Sequence, residues 1–168
     1  MTVFVTADQH FRHANIIKYC DRPFATVDEM DAEMIRRWNE VVSIFDTVYV
    51  LGDFALAPIP LISDILLQLH GTKFLIKGNH DRHRNGQLEV AGFSLVHGGA
   101  WIWEEGDLNV YLTHAPLPVG PGKFNIHGHI HNLMTIEGGR NYCVSVEQTN
   151  YYPVEIAPII DTFYLRQG

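Results

Sequence analysis

The sequence predicts an α/β domain with two packed β-sheets and helices outside them. Strand-like and helix-like segments alternate in the first half of the chain, whereas the second half is mostly strand-like. No linker-like stretch divides the halves, and 168 residues with 46% hydrophobic content can form one core of ordinary size. We therefore expect residues 1–168 to form a single domain.

The elements of the first half are predicted from hydrophobic periodicity and from residues that begin or end helices. Thr26 or Asp28 caps the first long helix. Gly71 is the expected C′ residue of the next helix, which has Pro near its start. In order, we predict a strand at 2–7, a short helix or ordered loop at 11–20, a helix at 26–42, a strand at 46–53, a helix at 58–71, a strand at 72–79 and a short helix around 87–91.

The second half is predicted to consist mainly of strands separated by Gly, Pro and Asn. Trp101 and Trp103 alternate along one of these strands, which favours core packing or a partner contact over substrate stacking. The predicted strands are 93–97, 100–105, 108–114, 124–131, 133–137, 140–147 and 153–159.

Composition excludes several classes of protein. No apolar run approaches the ~20 residues of a membrane helix, and the N-terminus lacks the features of a signal peptide, so we expect a cytoplasmic protein without a membrane partner. Cys20 and Cys143 show no metal or redox spacing and are expected to be reduced thiols. The net charge of −7 argues against nonspecific binding of nucleic acid, which remains an option only as a substrate.

Polar residues of the metal-ligand type follow five predicted strands. In open α/β sheets, ligands bind outside the carboxyl ends of the strands. In an extended backbone, residues two apart point the same way. Asp8 and His10, and likewise His129 and His131, would then point at one site. The residues are Asp8 and His10 after the first strand, Asp53 after the second, Asn79 and His80 after the third, His114 after the strand at 108–114, and His129 and His131 at the end of the strand at 124–131.

The chemistry of these residues indicates two divalent metal ions. Carboxylate, amide and imidazole groups without a thiolate suit Mn²⁺, Fe²⁺ and Zn²⁺. Without His80, the seven remaining candidate ligands are too many for one four-coordinate zinc ion, but they suit two ions about 3.5–4 Å apart that share a bridging carboxylate. Bound cations would also let an acidic protein accept a substrate that carries a phosphate.

Five short motifs occur in the order typical of a known family. "DQH", "GD", "GNHD", "THAP" and "HGHIH" run from Asp8 to His131, and the chain resembles the calcineurin-like metallophosphoesterases. It looks like a small stand-alone bacterial or phage-type member, and the segment "HFRHANIIKYCDRPF" is similar to such members as well. The resemblance implies a four-layer α/β/β/α sandwich, a binuclear metal centre and hydrolysis of phosphoesters, with Mn²⁺ expected first and Fe²⁺, Zn²⁺, Ni²⁺ or Co²⁺ as alternatives.

The resemblance also implies a role for each matching residue. One metal would be bound by Asp8, His10 and His131, the other by Asn79, His114 and His129, and Asp53 would bridge them. His80 would contact the phosphoryl group and help to protonate the leaving oxygen, and Asp81 would orient His80. The chain departs from larger members at Phe11, where many have Gly. After Asp53 it lacks the basic motif of protein Ser/Thr phosphatases, which argues against that activity.

Further polar residues flank the first and third motifs and are predicted substrate contacts: Arg12, His13, Asn15, Arg82 and His83. His70 is expected to be structural at a helix C-terminus. His97 and His127 are candidates only for lining the cleft and for supporting a ligand, respectively.

The leading substrate is a small or nucleotide-type phosphodiester. A nuclease and a phosphomonoesterase would use the same site, and a protein-binding scaffold without catalysis is a further alternative. Because such scaffolds tend to lose metal or acid residues, the complete motif set favours an enzyme.

Overall fold

The structure of the protein is a computed structural model, in which residues 1–105, 108–133 and 139–165 are described. The helices within these ranges are α1 (Ala14–Tyr19), α2 (Val27–Val41), α3 (Ile59–Gln68), α4 (Asn85–Ala91) and α5 (Ile156–Leu165). The strands are β1 (Val3–Thr6), β2 (Thr47–Val50), β3 (Thr72–Ile76), β4 (Leu95–His97), β5 (Trp101–Glu105), β6 (Leu108–Thr113), β7 (Lys123–His127), β8 (Asn141–Cys143) and β9 (Val154–Glu155).

The first sheet has the strand order β4-β3-β2-β1-β9. Its first four strands are parallel, and β9 is antiparallel to β1. Each parallel pair is joined through helices, and buried apolar residues of α1 to α4 form one core cluster with this sheet. Because the parallel strands run the same way, β1, β2 and β3 release their carboxyl ends at one edge.

The second sheet has the order β5-β6-β7-β8, with β5 antiparallel to β6 and the remaining pairs parallel. Val110 and Phe124 on this sheet share a second core cluster with Val5 and Ile76 on the first. The two sheets therefore pack face to face, and α5 packs beside the second sheet with Phe163 stacked on Phe124 at 4.4 Å between ring centroids. The predicted class, α/β with two mixed sheets flanked by helices, is confirmed.

Most predicted elements occur close to their expected positions. Thr26 is the N-cap of α2, because its side chain accepts a hydrogen bond from the backbone N–H of Glu29. The segment at 11–20 contains the helix α1, and Trp101 and Trp103 pack against the inner core. Cys20 and Cys143 are free and buried.

Three element predictions need correction. The segment at 153–159 is not a strand throughout, because β9 ends at Glu155 and α5 begins at Ile156. The buried residues Ile156, Ile159, Ile160 and Phe163 follow the helical period, and Pro158 lies in the first turn, where its missing N–H breaks no helical bond. Gly71 is not the C′ residue of α3, since that helix ends at Gln68 with Leu69 as its C-cap. The strand predicted at 124–131 ends at His127.

The strand predicted at 133–137 lies almost wholly outside the described residues. Within the described ranges, no helix has the length and apolar character needed to cross a membrane.

Candidate metal centre

The carboxyl ends of five strands bring the predicted ligands together. Asp53 lies at the centre, where its Oδ2 is 3.5 Å from His10 Nε2 and 3.4 Å from His114 Nε2. Asn79 Oδ1 lies 2.9 Å from His114 Nε2, and His129 Nδ1 lies 3.1 Å from the same atom. The rings of His10 and His131 stack at 5.2 Å between centroids.

The approach of these side chains depends on an unusual backbone conformation. Asp8, His10, Asp53, His129 and His131 all have positive φ angles, between 50° and 72°. Non-glycine residues rarely adopt this region, and such strain concentrates at functional sites. The extended backbone that the sequence suggested for the pairs Asp8/His10 and His129/His131 is therefore wrong: tight left-handed turns aim these side chains.

Buried atoms without a partner indicate that a cation fits among these residues. Asp8 Oδ2 accepts hydrogen bonds from the Ser145 hydroxyl at 2.6 Å and the His129 N–H at 2.8 Å, but Asp8 Oδ1 and His10 Nε2 are buried without a hydrogen-bond partner among the described residues. Leaving buried acceptors unpaired is costly, whereas a metal ion takes up their lone pairs. Donor atoms of Asp8, His10 and His131 lie within 4.8 Å of one another, as do those of Asp8, Asp53 and His114.

In two histidine rings, a hydrogen bond at Nδ1 leaves Nε2 as the atom that can bind a cation. His114 Nδ1 lies 2.9 Å from the carbonyl oxygen of Leu51, which only a protonated Nδ1 can satisfy. In the neutral ring, Nε2 then presents a lone pair to Asn79 Oδ1 and Asp53 Oδ2, an arrangement of acceptors that suits a cation between them. His131 Nδ1 lies 3.0 Å from Glu147 Oε1, and a cation at Nε2 of this ring would have to displace the proton that its raised pKa retains.

The acid–base properties of the site follow from its burial and its crowding. Burial raises the pKa of Asp8 to about 6, against the charges of His131 and His114. Burial, together with neighbouring cationic groups, lowers the pKa of His10 to about 2, so its ring is neutral at pH 7. Burial alone would lower the pKa of His131, but hydrogen bonds with Cys20 and Glu147 and the charge of Asp8 raise it to about 10.

Two glycines permit the close approach of neighbouring loops. A Cβ on Gly78 would lie 2.2 Å from Asp53 Oδ1, and one on Gly128 would lie 2.5 Å from Asp8 Oδ2. These glycines, each directly before a predicted ligand, are thus required because the strand-end loops touch each other.

His80 lies at the open side of the centre, and Asp81 does not contact it. His80 Nε2 is 3.9 Å from Asp53 Oδ2, and its ring lies against those of His10 and His13. Both oxygens of Asp81 instead accept backbone N–H groups, from Asp53 at 2.8 Å, Phe54 at 3.0 Å and Gly78 at 2.9 Å. The predicted role of Asp81 in orienting His80 does not fit these contacts, because its carboxylate ties two ligand loops together.

Of the predicted substrate contacts, only His13 lines the cavity beside the metal ligands. The guanidinium of Arg12 turns away to the acidic residues Asp28 and Asp31 of α2. His83 Nε2 lies 2.8 Å from the carbonyl oxygen of Ala57. Arg12 and His83 are thus held by other partners, and substrate contact does not fit their placement.

Asn15 and Arg82 are exposed and lie outside the residues that line this cavity, and their contact with a substrate stays a prediction.

The remaining histidines have separate positions. His70 Nδ1 lies 3.0 Å from the carbonyl oxygen of Val42, just beyond α2, which fits its predicted structural role. His127 is buried with Nδ1 2.8 Å from the Gly128 carbonyl oxygen, directly behind the loop that carries His129. His97 is exposed and packs edge-on against Trp101, outside the cavity.

A buried ion pair that sequence reasoning missed supports the first ligand loop. The guanidinium of Arg22 donates to the carbonyl oxygens of Asp8 at 2.7 Å and Gln9 at 2.8 Å, and also to Glu147 Oε1 at 2.6 Å. Glu147 in turn accepts from His131, so one chain of contacts joins two ligand loops. Arg22 lies in the quoted segment "HFRHANIIKYCDRPF", but nothing in a single sequence connects it with a residue 125 positions away.

Comparison with known proteins identifies a family. The family model described as calcineurin-like phosphoesterase matches residues 1–156. An uncharacterised protein of Methanocaldococcus jannaschii is 34% identical over 171 residues, which cover 94% of this chain and 89% of that protein. The gene 66 protein of Mycobacterium phage L5 is 29% identical, with 78% of each chain covered. In fold, the chain is similar to a protein of unknown function from Aquifex aeolicus, with a TM-score of 0.75 and 24% identity over 95% of this chain and 98% of that one.

Proposed function

The chain belongs to the calcineurin-like phosphoesterase family, whose reaction is metal-dependent hydrolysis of phosphoesters, and we propose that it cleaves a small or nucleotide-type phosphodiester at a binuclear centre. The observation that carries the proposal is the convergence of donor atoms around Asp53 Oδ2, with Asp8 Oδ1 and His10 Nε2 buried and unpaired. Buried lone pairs that face one another suit cations better than water.

Two groups of residues would hold the ions. Asp8, His10 and His131 would hold one, and Asn79, His114 and His129 the other, with Asp53 between the two groups. When bound, divalent ions supply Lewis-acid polarisation of the phosphoryl group and a lowered pKa for attacking water. Oxygen and imidazole donors without a thiolate favour Mn²⁺, with Fe²⁺, Zn²⁺, Ni²⁺ and Co²⁺ as alternatives.

His80 would supply the proton for the leaving group. Its side chain is about one-third exposed, so the imidazole can reach a substrate at the open side of the centre. Its backbone N–H donates to Asp53 Oδ1 at 2.8 Å, which fixes the residue relative to the central ligand. A protonated imidazole in this position can give its proton to the departing oxygen as the ester bond breaks.

A diester is favoured over a monoester by the charges near the cleft. The two arginines that flank the first ligand loop are engaged elsewhere: Arg12 pairs with Asp28 of α2, and Arg22 is buried against Glu147. Among the described residues that line the cavity, none is Lys or Arg. With no Lys or Arg among the described residues that line the cavity, a singly charged diester fits better than a doubly charged monoester.

The proposal is tested by metal content together with an ester panel. We expect two ions per chain, and with Mn²⁺ a higher kcat/KM for bis-p-nitrophenyl phosphate than for p-nitrophenyl phosphate. Asp53→Asn should reduce activity by at least about 10²-fold, because it weakens the binding of both ions. The control is Asp161→Asn, an exposed residue of α5. One tightly bound ion under saturating Mn²⁺ would rule out the binuclear centre, and faster cleavage of the monoester would reverse the substrate preference.

A further inference from the structure

An apolar shelf lies directly beside the metal ligands. It is formed by Ile16 and Tyr19 of α1 and by Ile130 and Leu133 of the loop after β7. These four residues line one cavity of about 390 Å³ together with metal-centre residues such as His10 and His131. A group attached to a phosphate at the centre would therefore be within reach of the shelf.

Two side chains of the shelf are unusually exposed. Tyr19 is 72% exposed and Leu133 is 65% exposed, although both are large and apolar. Single exposed apolar residues are common on protein surfaces. These two differ because they belong to the same cavity as the catalytic histidines, and apolar surface in such a cavity is typical of a ligand site.

Both sides of the shelf are held in place before any ligand binds. Tyr19 ends α1, and its ring packs edge-on against His13 at 6.3 Å between centroids. The backbone N–H of Leu133 donates to the Ile130 carbonyl at 2.9 Å, and its carbonyl accepts from Gln148 Nε2 at 3.2 Å. A backbone that is already positioned loses little conformational entropy when a ligand binds.

The charge of the cavity restricts what the shelf can bind. None of the described residues that line it is Asp, Glu, Lys or Arg, so an uncharged ring suits its Ile, Leu and Tyr side chains. The phenol ring of Tyr19 offers a flat π-face, which an aromatic ring can stack on.

We propose that this shelf binds an uncharged aromatic ring of the size of a nucleobase, esterified to the single phosphate at the metal centre, and thereby selects aryl or nucleoside diesters over alkyl diesters. The inference rests on the proposed function and names the group that the site recognises. Tyr19 is its stacking surface, and Leu133 covers the opposite side.

The test uses three diesters with the same p-nitrophenolate leaving group: methyl, phenyl and thymidine-5′ p-nitrophenyl phosphate, each with Mn²⁺. We expect the native protein to favour the phenyl and thymidine esters over the methyl ester by about tenfold or more in kcat/KM, mainly through KM. Tyr19→Ala should lower this preference about tenfold, and Tyr19→Phe should retain it. Such a factor lies within the range of ring stacking on an aromatic side chain.

Controls make each outcome decisive. Because the preference is a ratio within one sample, partial misfolding of a variant does not change it. Tyr164→Ala, at an exposed tyrosine of α5 outside the cleft, should keep the native ratio. If the protein favours the phenyl ester over the methyl ester but does not favour the thymidine ester, the group that the shelf binds is a simple aryl group. Equal rates for all three esters, or an unchanged ratio in Tyr19→Ala, overturns the inference alone. No cleavage of any ester overturns the proposed function with it.

Discussion

At the metal centre, several residues adopt strained backbone conformations that are stabilised only by contacts in the folded protein. Nine described non-glycine residues have positive φ, and five of them are predicted ligands. Hydrogen bonds stabilise these conformations: the N–H of His10 donates to the Asp53 carbonyl at 2.9 Å, and that of Asp8 to the Gly52 carbonyl at 3.0 Å. The strain is thus offset by contacts between neighbouring loops.

The role of His80 can be tested by the dependence on the leaving group. His80→Ala should keep both ions, because no predicted ligand is removed. It should lower cleavage of alkyl esters, with poor leaving groups, by about 10²–10⁴-fold, and lower cleavage of p-nitrophenyl esters much less, since p-nitrophenolate leaves without a proton. Steady-state kinetics on both classes measure the difference. His97→Ala, at an exposed histidine outside the cavity, is the control. Equal losses for both leaving groups would contradict general-acid catalysis.

The loops after β2 and β3 form one unit. Asp81, in the loop after β3, accepts N–H groups of Asp53 and Phe54 after β2 as well as that of Gly78 in its own loop. Burial raises the pKa of the Asp81 carboxyl, and the hydrogen bonds that the carboxylate accepts partly counter this rise. Because Asp53 and Asn79 stand on the two loops, Asp81 sets the spacing of the ligands without touching a substrate.

Removing this link should cost stability. Asp81→Ala leaves the buried N–H groups of Asp53 and Phe54 and the partly buried N–H of Gly78 without their acceptor, and each unsatisfied buried group costs about 1–3 kcal/mol. We expect the free energy of unfolding in urea to fall by about 3 kcal/mol or more. Asp64→Ala, at an exposed position of α3, should change it by less than about 0.5 kcal/mol. A loss for Asp81→Ala as small as that of the control would show that the two loops hold together without this carboxylate.

At the scale of the whole molecule, the centre lies where both sheets end. Asp8, Asp53 and Asn79 follow strands of the first sheet, whereas His114 and His129 follow strands of the second. The core between the sheets therefore determines whether the two ligand groups meet, and metal binding is coupled to folding of both sheets.

Metal ions should accordingly stabilise the whole protein. At 100 times Kd, one ion adds about 2.7 kcal/mol to the free energy of unfolding, and about 1 kcal/mol shifts the Tm of a chain this size by roughly 2–4 °C. We expect Mn²⁺ to raise the Tm of EDTA-treated protein by roughly 5–10 °C.

Protons compete with the ion at His131, whose pKa is raised to about 10, already at pH 7.5, and the increase should shrink further as the pH falls through about 6, the raised pKa of Asp8. Differential scanning calorimetry at pH 7.5 and pH 5.5 measures both effects. An increase that is independent of pH would contradict a site built on Asp8.

The sequence by itself determined which residues are candidates for the centre's donor set and where along the chain they stand; their ligand roles stay a prediction. Hydrophobic periodicity placed β1, β2 and β3, and the polar residues directly after them are recognisable because a strand end is a local feature. The alternation of strand and helix likewise determined the α/β class, since each segment's pattern depends on its own residues.

Only the tertiary structure decided how those residues are arranged. The left-handed turns at Asp8 and His129 depend on contacts with other loops. The extended backbone that the sequence predicted for these segments was therefore wrong. Arg12 turns to α2, and Arg22 meets Glu147, 125 positions away. These outcomes depend on which distant segments meet, and local sequence patterns carry no information about that. The sequence therefore determined the chemistry of the site, and the packing of the two sheets decided its geometry.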